Sequence, residues 1–595
     1  MRTRRMNLLT LRTAVAHMLL RCSAGAVVAA VLTACGGSTS MPTYDKTIAD
    51  VTAVIQTEMA ASNTTGLSIA IVDGQRVVWA RGFGYADKEA GIAAEADTIY
   101  EIGSISKTFA ATAVMRLAEQ GRIDLDQPVS RYVAGFSINQ RFADSGPITL
   151  RAVLTHHTGI PGDLFNGAFT ENAPIDYETW LLQYLKNEYT AAPVGQVLAY
   201  SNSAMALLRP AIDAVAPGGF KSYANALFDT MGMSNTSYDL DDRIPRSKLS
   251  NAYEAGTKKP LLYGNIQTAG TIRSSVLDMA QYIKMIHAGG LATYGRVLSQ
   301  ASLDEMFRRQ NADAPLDFDM GIGLAWFLAT YAGGKVVNHE GATPWFHAMV
   351  YADPARQIGI VVLSNTSTTD VGAIASQALK SALQEKMGIV PPPRPVPAYS
   401  PPDTAWTPAQ FAALAGTYVV GAGMGFATAK VDAVAGGLRM EGQPDIWIPR
   451  QNGYFSLPDA HADAQATQYK FATVAGRSVI SALSGGQESL YGERYDQGTL
   501  PAAWVARQGA YTATNINPGG TLWPGTNDVR IVVGADGLLR VTDTLRGDIP
   551  IKPVSDTLAF VGGIGRNRGE SVRVVTAGGV EQVELWGYRY RKTGP

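Results

Sequence analysis

Two apolar runs, Leu67 to Val72 and Val77 to Gly82, flank Asp73-Gly74. Asp-Gly suits a turn with positive φ, so this pattern predicts a β-hairpin. Ile358 to Ser364 is a short apolar run of the buried-strand kind, and Lys335-Val336-Val337 reads as another strand. Between these ends the spacing turns helical. Thr108 to Gln120 is one helix, closed by Gly121, and Ala204 to Ala214 is a second. Strands at both ends with helices between them predict one antiparallel sheet whose first and last strands meet.

The pattern changes after a proline-dense break at Pro391 to Pro402, where seven of twelve residues are Pro. Such a run favours an extended spacer. Beyond it, short alternating runs and Gly-rich turns predict strands. This tail also repeats itself. Gly416-Thr417-Tyr418 returns as Gly509-Ala510-Tyr511, and Gly437-Leu438 as Gly537-Leu538. Leu490-Tyr491-Gly492-Glu493-Arg494-Tyr495 returns as Leu585-Trp586-Gly587-Tyr588-Arg589-Tyr590. Three matches in the same order predict two copies of one unit, each long enough for a small antiparallel β-barrel.

At the start, Arg2, Arg4, Arg5, Arg12 and Arg21 precede an uncharged stretch, Cys22 to Ala34. That stretch is too short to span a bilayer, which takes about 20 residues. A basic segment followed by a short apolar one is an export signal. Its end, Leu32-Thr33-Ala34-Cys35, resembles a bacterial lipobox. That resemblance implies lipidation of Cys35, loss of residues 1–34 and a periplasm-facing membrane lipoprotein of the bacterial envelope. The expected organisation is then a signal segment at 1–34, a tether at 35–46 and a catalytic domain at 47–390. A linker at 391–402 and barrel-like units at 403–497 and 498–595 follow.

Composition narrows the function. The chain has 595 residues, 46% hydrophobic and 17% charged, with a net charge of −1. So balanced a charge offers no field to hold nucleic acid. Cys22 and Cys35 are the two cysteines, which removes a disulfide framework, a Cys-ligated zinc site and a cysteine nucleophile from the body of the protein. His156-His157 has no second ligand pair spaced for a metal and reads as part of a turn before Gly159-Ile160-Pro161. No cofactor and no metal are expected.

The candidate chemistry begins at Glu101-Ile102-Gly103-Ser104-Ile105-Ser106-Lys107. Ser104 stands where the first helix should begin, and alone it reads as a helix N-cap. Lys107 lies one turn further along the same face. A serine hydroxyl needs a base, and a desolvated lysine with a lowered pKa can serve as one. Tyr200-Ser201-Asn202 adds a hydroxyl that can relay protons and an amide that can orient a carbonyl. His339-Glu340-Gly341-Ala342 follows the strand at Lys335. Gly341 there would let another backbone approach closely, as a substrate pairing with the strand edge would need. Trp345 and Phe346 read equally as acyl-pocket walls or core aromatics, and His461 as a solvated loop residue.

Together the motifs S-x-x-K, Y-x-N and H-x-G, in this order, resemble the class C β-lactamase-related serine hydrolases of the penicillin-binding superfamily. The stretches Ile148–Gly162, Met231–Tyr238, Ala269–Tyr282 and His339–Val350 fit as well, so the resemblance covers Tyr44 to Val390. It implies an α+β fold: an antiparallel sheet flanked by helices, here joined to two small lipocalin-like barrels. It also implies that Ser104 is the nucleophile and that Lys107 and Tyr200 share the proton transfers, in an order left open. Asn202 would hold the substrate amide or carbonyl, and His339 would line the site. The N–H groups of Ser104 and Ala342 would form an oxyanion hole.

One departure bears on substrate. The β-lactam and carboxypeptidase members usually carry Lys-Thr-Gly where this chain has His339-Glu340-Gly341. A neutral His339 and a negative Glu340 weaken carboxylate binding and favour an amine. The expected substrate is therefore a small peptide or amide, D-residues included, with small esters next. The same swap resembles the D-aminopeptidase branch, in which carboxy-terminal barrels help to close the site. Two alternatives stay open: a D-Ala-D-Ala carboxypeptidase or class C-like β-lactamase, and a catalytically idle envelope sensor. The oligomeric state is also left open.

Overall fold

The computed structural model describes residues 42–172, 174–390, 400–421, 425, 427–458, 467–516, 527–544 and 546–595. Cys35, the signal and lipobox, most of the tether, most of the proline-rich linker and His461 lie outside the described residues.

Among these residues the amino-terminal half is built on an eight-stranded antiparallel sheet. Its strands are β1 Gly66–Asp73, β2 Arg76–Asp87, β3 Ile92–Ala93, β4 Gly321–Ile322, β5 Phe327–Tyr331, β6 Gly334–Ala342, β7 His347–Asp353 and β8 Ile358–Ser364. They lie in the order β4-β5-β6-β7-β8-β1-β2-β3. The first long strand meets the last, with Leu67 opposite Ser364 and Asp73 opposite Ile358. The expected hairpin forms, but Asp73 pairs with Arg76, so the two loop residues are Gly74 and Gln75. Gly74, at φ +58°, takes the left-handed position.

Strand β8 reads as an unbroken apolar run because both of its faces are covered. Ile358, Ile360 and Val362 join Val51 and Ile374 in one core, while Val361 and Leu363 join Phe109 and Ile283 in the other. Helices α1 Asp45–Ala61 and α5 Val371–Met387 supply the first face. Helices α2 Ser106–Glu119, α3 Asn202–Ala206 and α4 Val276–His287 lie with the larger core. The helix expected over Ala204–Ala214 is two helices, α3 and a second at Leu208–Val215. Pro210 has no N–H to bond the carbonyl of Ala206, so the helical ladder breaks at this joint.

The tail forms two closed barrels. The first runs from strand Gly416–Val420 to Gln487–Arg494, the second from Gly509–Ala513 to Tyr588–Gly594. Gly416 and Gly509 open the equivalent strands, and the next tyrosines are tied alike: Tyr418 Oη donates to Leu414 O and Tyr511 Oη to Arg507 O. The other two sequence matches slip. Tyr418 pairs with Arg494 and Tyr511 with Lys592, so the counterpart of Gly492 is Tyr590, not Gly587. Leu438 likewise corresponds to Leu539, one residue beyond the expected partner. The hairpins of the two copies differ in length, which shifts the spacing without changing the barrel.

Both barrels pack on the sheet-and-helix domain that precedes them. Val479 of the first and Ile564 of the second share a cluster with Ala192, Val197, Ala199 and Leu316. Polar contacts pin the second: Arg141 Nη1 donates to Gly569 O at 2.7 Å and Asn166 Nδ2 to Gly587 O at 2.9 Å.

Candidate active site

Ser104 does not cap a helix. It lies inside a 3₁₀ turn, Gly103–Ile105, that runs directly into α2, and Gly103 makes this entry at φ +51°. The side chain is thereby left for other partners. Lys107, one turn on, is fully buried, and its Nζ lies 2.9 Å from Ser104 Oγ, 2.7 Å from Asn202 Oδ1 and 2.5 Å from Ala269 O. Desolvation, and next the charge of Arg566, lower the Lys107 pKa well below the ordinary lysine value. A neutral amine fits these three neighbours. Its two N–H bonds point to the Asn202 and Ala269 oxygens, and its lone pair is left for the Ser104 hydroxyl.

Tyr200 lies just before α3, whose N-terminus is capped by Ser201 Oγ accepting from Ala204 N. It lines the same cavity as Ser104, and burial raises its pKa, so it stays protonated. The ring is held on several sides. His156 stacks on it at 4.1 Å, Lys107 Nζ lies 4.8 Å from its centroid, and Arg566 Cζ lies 4.8 Å from it as well. His156-His157 therefore does more than form a turn. His157 Nε2 bonds Asp317 Oδ2 at 2.8 Å, while His156, at φ +60°, supports the Tyr200 ring.

On the opposite side, β6 brings its backbone against the Ser104 turn. A Cβ on Gly341 would lie 1.9 Å from Ile102 O and 3.1 Å from Ser104 N. No side chain fits there, but the backbone that approaches is the chain's own Ser104 turn and not a substrate's. Ser104 and Ala342 consequently face the same cavity. His339 also lines it. Burial, then Lys107, lowers the His339 pKa to about 3, so the imidazole is neutral. Glu340 reaches the cavity rim, but its side chain is 62% exposed and its Oε1 bonds His347 Nε2 at 2.5 Å. That bond holds the Glu340 pKa below its ordinary value. Trp345 and Phe346 do not line the cavity; Phe346 is buried in the core and Trp345 packs against it.

The cavity has a volume of about 500 Å³, within the range of small-molecule sites. Its walls include Phe165, Phe169, Ile266, Met320 and Phe327 from the sheet-and-helix domain, and Val419, Tyr491, Ile564 and Arg566 from the barrels. Two residues that the motifs did not reveal complete it. Asp163, fully buried, accepts from Asn202 Nδ2 at 2.7 Å and from Arg566 Nε at 2.9 Å. Burial by itself would raise its pKa, but Arg566 and Asn202 outweigh that and lower it, so Asp163 is a carboxylate. A chain of contacts thus runs from the second barrel to the serine: Arg566, Asp163, Asn202, Lys107, Ser104.

Residues 51–384 match the protein family described as Beta-lactamase. The chain belongs to that family. Protein flp of Staphylococcus aureus (strain N315) is 25% identical over 322 residues, 53% of this chain and 62% of flp. The chain thus spans less than two thirds of the length of that curated relative. Putative beta-lactamase-like 1 of Homo sapiens is 24% identical over 372 residues, covering 59% of this chain and 73% of the human protein. Unguisins hydrolase ungD of Aspergillus violaceofuscus is 25% identical over 357 residues, covering 54% and 62%. The octameric penicillin-binding protein homologue from Pyrococcus abyssi shares the fold, with a TM-score of 0.51 and 22% identity over 75% of this chain and all of that one. Membership carries the serine hydrolase superfamily with it.

Proposed function

We propose that the protein is a serine hydrolase that works through an acyl-enzyme on Ser104. The observation that carries this reading is the Lys107 amine, buried and held 2.9 Å from Ser104 Oγ. In this reading neutral Lys107 takes the Ser104 proton as Oγ attacks a carbonyl carbon. The N–H groups of Ser104 and Ala342 receive the developing oxyanion. Tyr200, protonated beside Ser104, gives its proton to the leaving group and regains one from Lys107, and water then releases the acyl group. Asn202 orients the substrate as well as Lys107, and His339 contributes a neutral polar wall.

The substrate class that fits is a small peptide, amide or ester with an apolar body. Glu340 adds little repulsion in this reading, because His347 engages it at the rim. The test is a panel of peptides, D-aminoacyl amides, esters and a chromogenic cephalosporin, with mass-spectrometric capture of the acyl group. The expected result is a mass increase on the peptide containing Ser104. No adduct from any member of the panel, on folded protein, would refute the reading.

We further propose that the protein is an exported lipoprotein of the bacterial envelope, anchored through Cys35. The basic segment before an uncharged stretch ending in Leu32-Thr33-Ala34-Cys35 supports this. No helix of the described residues is long and apolar enough to cross a membrane. Cells fed an alkyne fatty acid should label the wild-type protein, and Cys35→Ser should abolish the label and free the protein from the membrane fraction. Equal labelling of both would exclude the anchor.

A further inference from the structure

The third motif supplies no fixed positive charge to this cavity, since His339 stands where relatives of the resembling group usually have lysine. The arginines that line it, Arg566 and Arg568, both come from the second barrel. They are not equivalent. Arg568 is spent on the backbone: Nη1 donates to Arg566 O at 3.0 Å, and Nη2 to Gly421 O at 3.0 Å and Gly425 O at 2.9 Å. It ties one barrel to the other. Arg566 uses only Nε, on Asp163. Its terminal nitrogens have no hydrogen-bond partner among the described residues, its side chain is 26% exposed, and its guanidinium lies 4.8 Å from the Tyr200 ring centroid.

The acidic groups around the cavity are engaged elsewhere. Glu340 is bonded to His347, and Asp317 accepts from Leu198 N, Asn311 Nδ2 and His157. What remains is a mostly apolar chamber with one open guanidinium fork beside the serine. Such a fork matches a carboxylate bidentately and more tightly than a neutral group.

We propose that Arg566 is the specificity residue of this site: the substrate carries a carboxylate, and the terminal nitrogens of Arg566 hold it above Tyr200 while Ser104 attacks. The proposal rests on the acyl-serine reading and reverses the weakening of carboxylate binding expected from His339 alone. It places the missing charge on a barrel outside the catalytic domain, 462 positions along the chain from Ser104.

The test uses boronic acids, which add reversibly to a serine hydroxyl. Phenylboronic acids bearing a meta or para carboxylate are compared with their carboxamides on the full chain. The wild type should prefer at least one carboxylate isomer by about tenfold or more. Arg566→Gln should collapse that ratio towards one, and Arg566→Lys should restore part of it. Because Arg566→Gln leaves Asp163 unpaired, Asp163→Asn/Arg566→Gln is measured beside it; the ratio should collapse there too. No preference in the wild type, or a preference that survives both variants, would overturn the proposal. Failure of every boronate to bind, with no acyl capture on Ser104, would instead refute the acyl-serine reading, and this proposal with it.

Discussion

Ser104→Ala should lower turnover of the best substrate by about 10⁴-fold or more, with the fold intact. Ser104 sits in a short turn set by Gly103, with its Oγ 2.9 Å from the Lys107 amine and Tyr200 lining the same cavity. Removing one oxygen takes nothing from the core, so thermal melting should change little. Lys107→Met should lose nearly as much activity, because a hydroxyl without a base is a poor nucleophile. The two residues act as one unit. Ser104→Ala/Lys107→Met should therefore be no slower than Ser104→Ala alone. The pH profile carries the same signature. Lys107 must be neutral to act, and its pKa is lowered, so kcat/KM should fall only on the acid side, as pH drops through that lowered value. Tyr200, raised by burial, keeps its proton through neutral pH, so no loss is expected until well into the alkaline range. Turnover, melting and the pH profile check these outcomes. A Lys107→Met enzyme with near wild-type kcat/KM would show that another group is the base.

Much of this site was legible in the sequence because its parts obey local rules. The strand Ile358–Ser364 forms over the expected residues, since a run buried on both faces has no polar position to blur its ends. The spacing of Ser104 and Lys107 does not depend on whether Ser104 caps the helix: one helical turn brings the two together either way. Gly341 marked a close approach but not its partner, which is the Ser104 turn and not a substrate strand. Other features depend on distant contacts and carry no local signal. Asp163 follows the family-like stretch Ile148–Gly162 by one position, but its partners are Asn202 and Arg566. Arg566 lies in Gly562-Gly563-Ile564-Gly565-Arg566-Asn567-Arg568, which looks like a solvated turn until the barrel is docked. The charge of Glu340 was legible, but not its bond to His347, which depends on the pairing of β6 with β7.

Asp163→Ala, behind Asn202 and Arg566 of the cavity wall, should cost about 3–5 kcal/mol of stability, because it breaks a buried ion pair and leaves the cation behind. Arg566 would keep its charge beside Tyr200 and Lys107 with no counter-ion, and Asn202 would lose the acceptor that fixes its amide. Activity should fall with stability, since Asn202 Oδ1 is one of the oxygens that orient the Lys107 amine. The decisive measurement is a double-mutant cycle with Arg566→Gln, read by denaturant unfolding. If the two charges stabilise one another, the double variant should cost clearly less than the sum of the singles. Strict additivity would show that they act independently. The pH dependence has a definite sign. The pKa of Asp163 is lowered in the folded state, so its contribution is present above the ordinary aspartate value and is lost as pH falls through the lowered one. The wild type should thus lose stability on acidification over that range, and Asp163→Ala should lack this part of the slope. Because Arg566 comes from the second barrel, the same cycle measures how tightly that barrel is coupled to the serine. A large coupling would mean that the tail is a working wall of the active site, and that the catalytic domain alone holds an incomplete one.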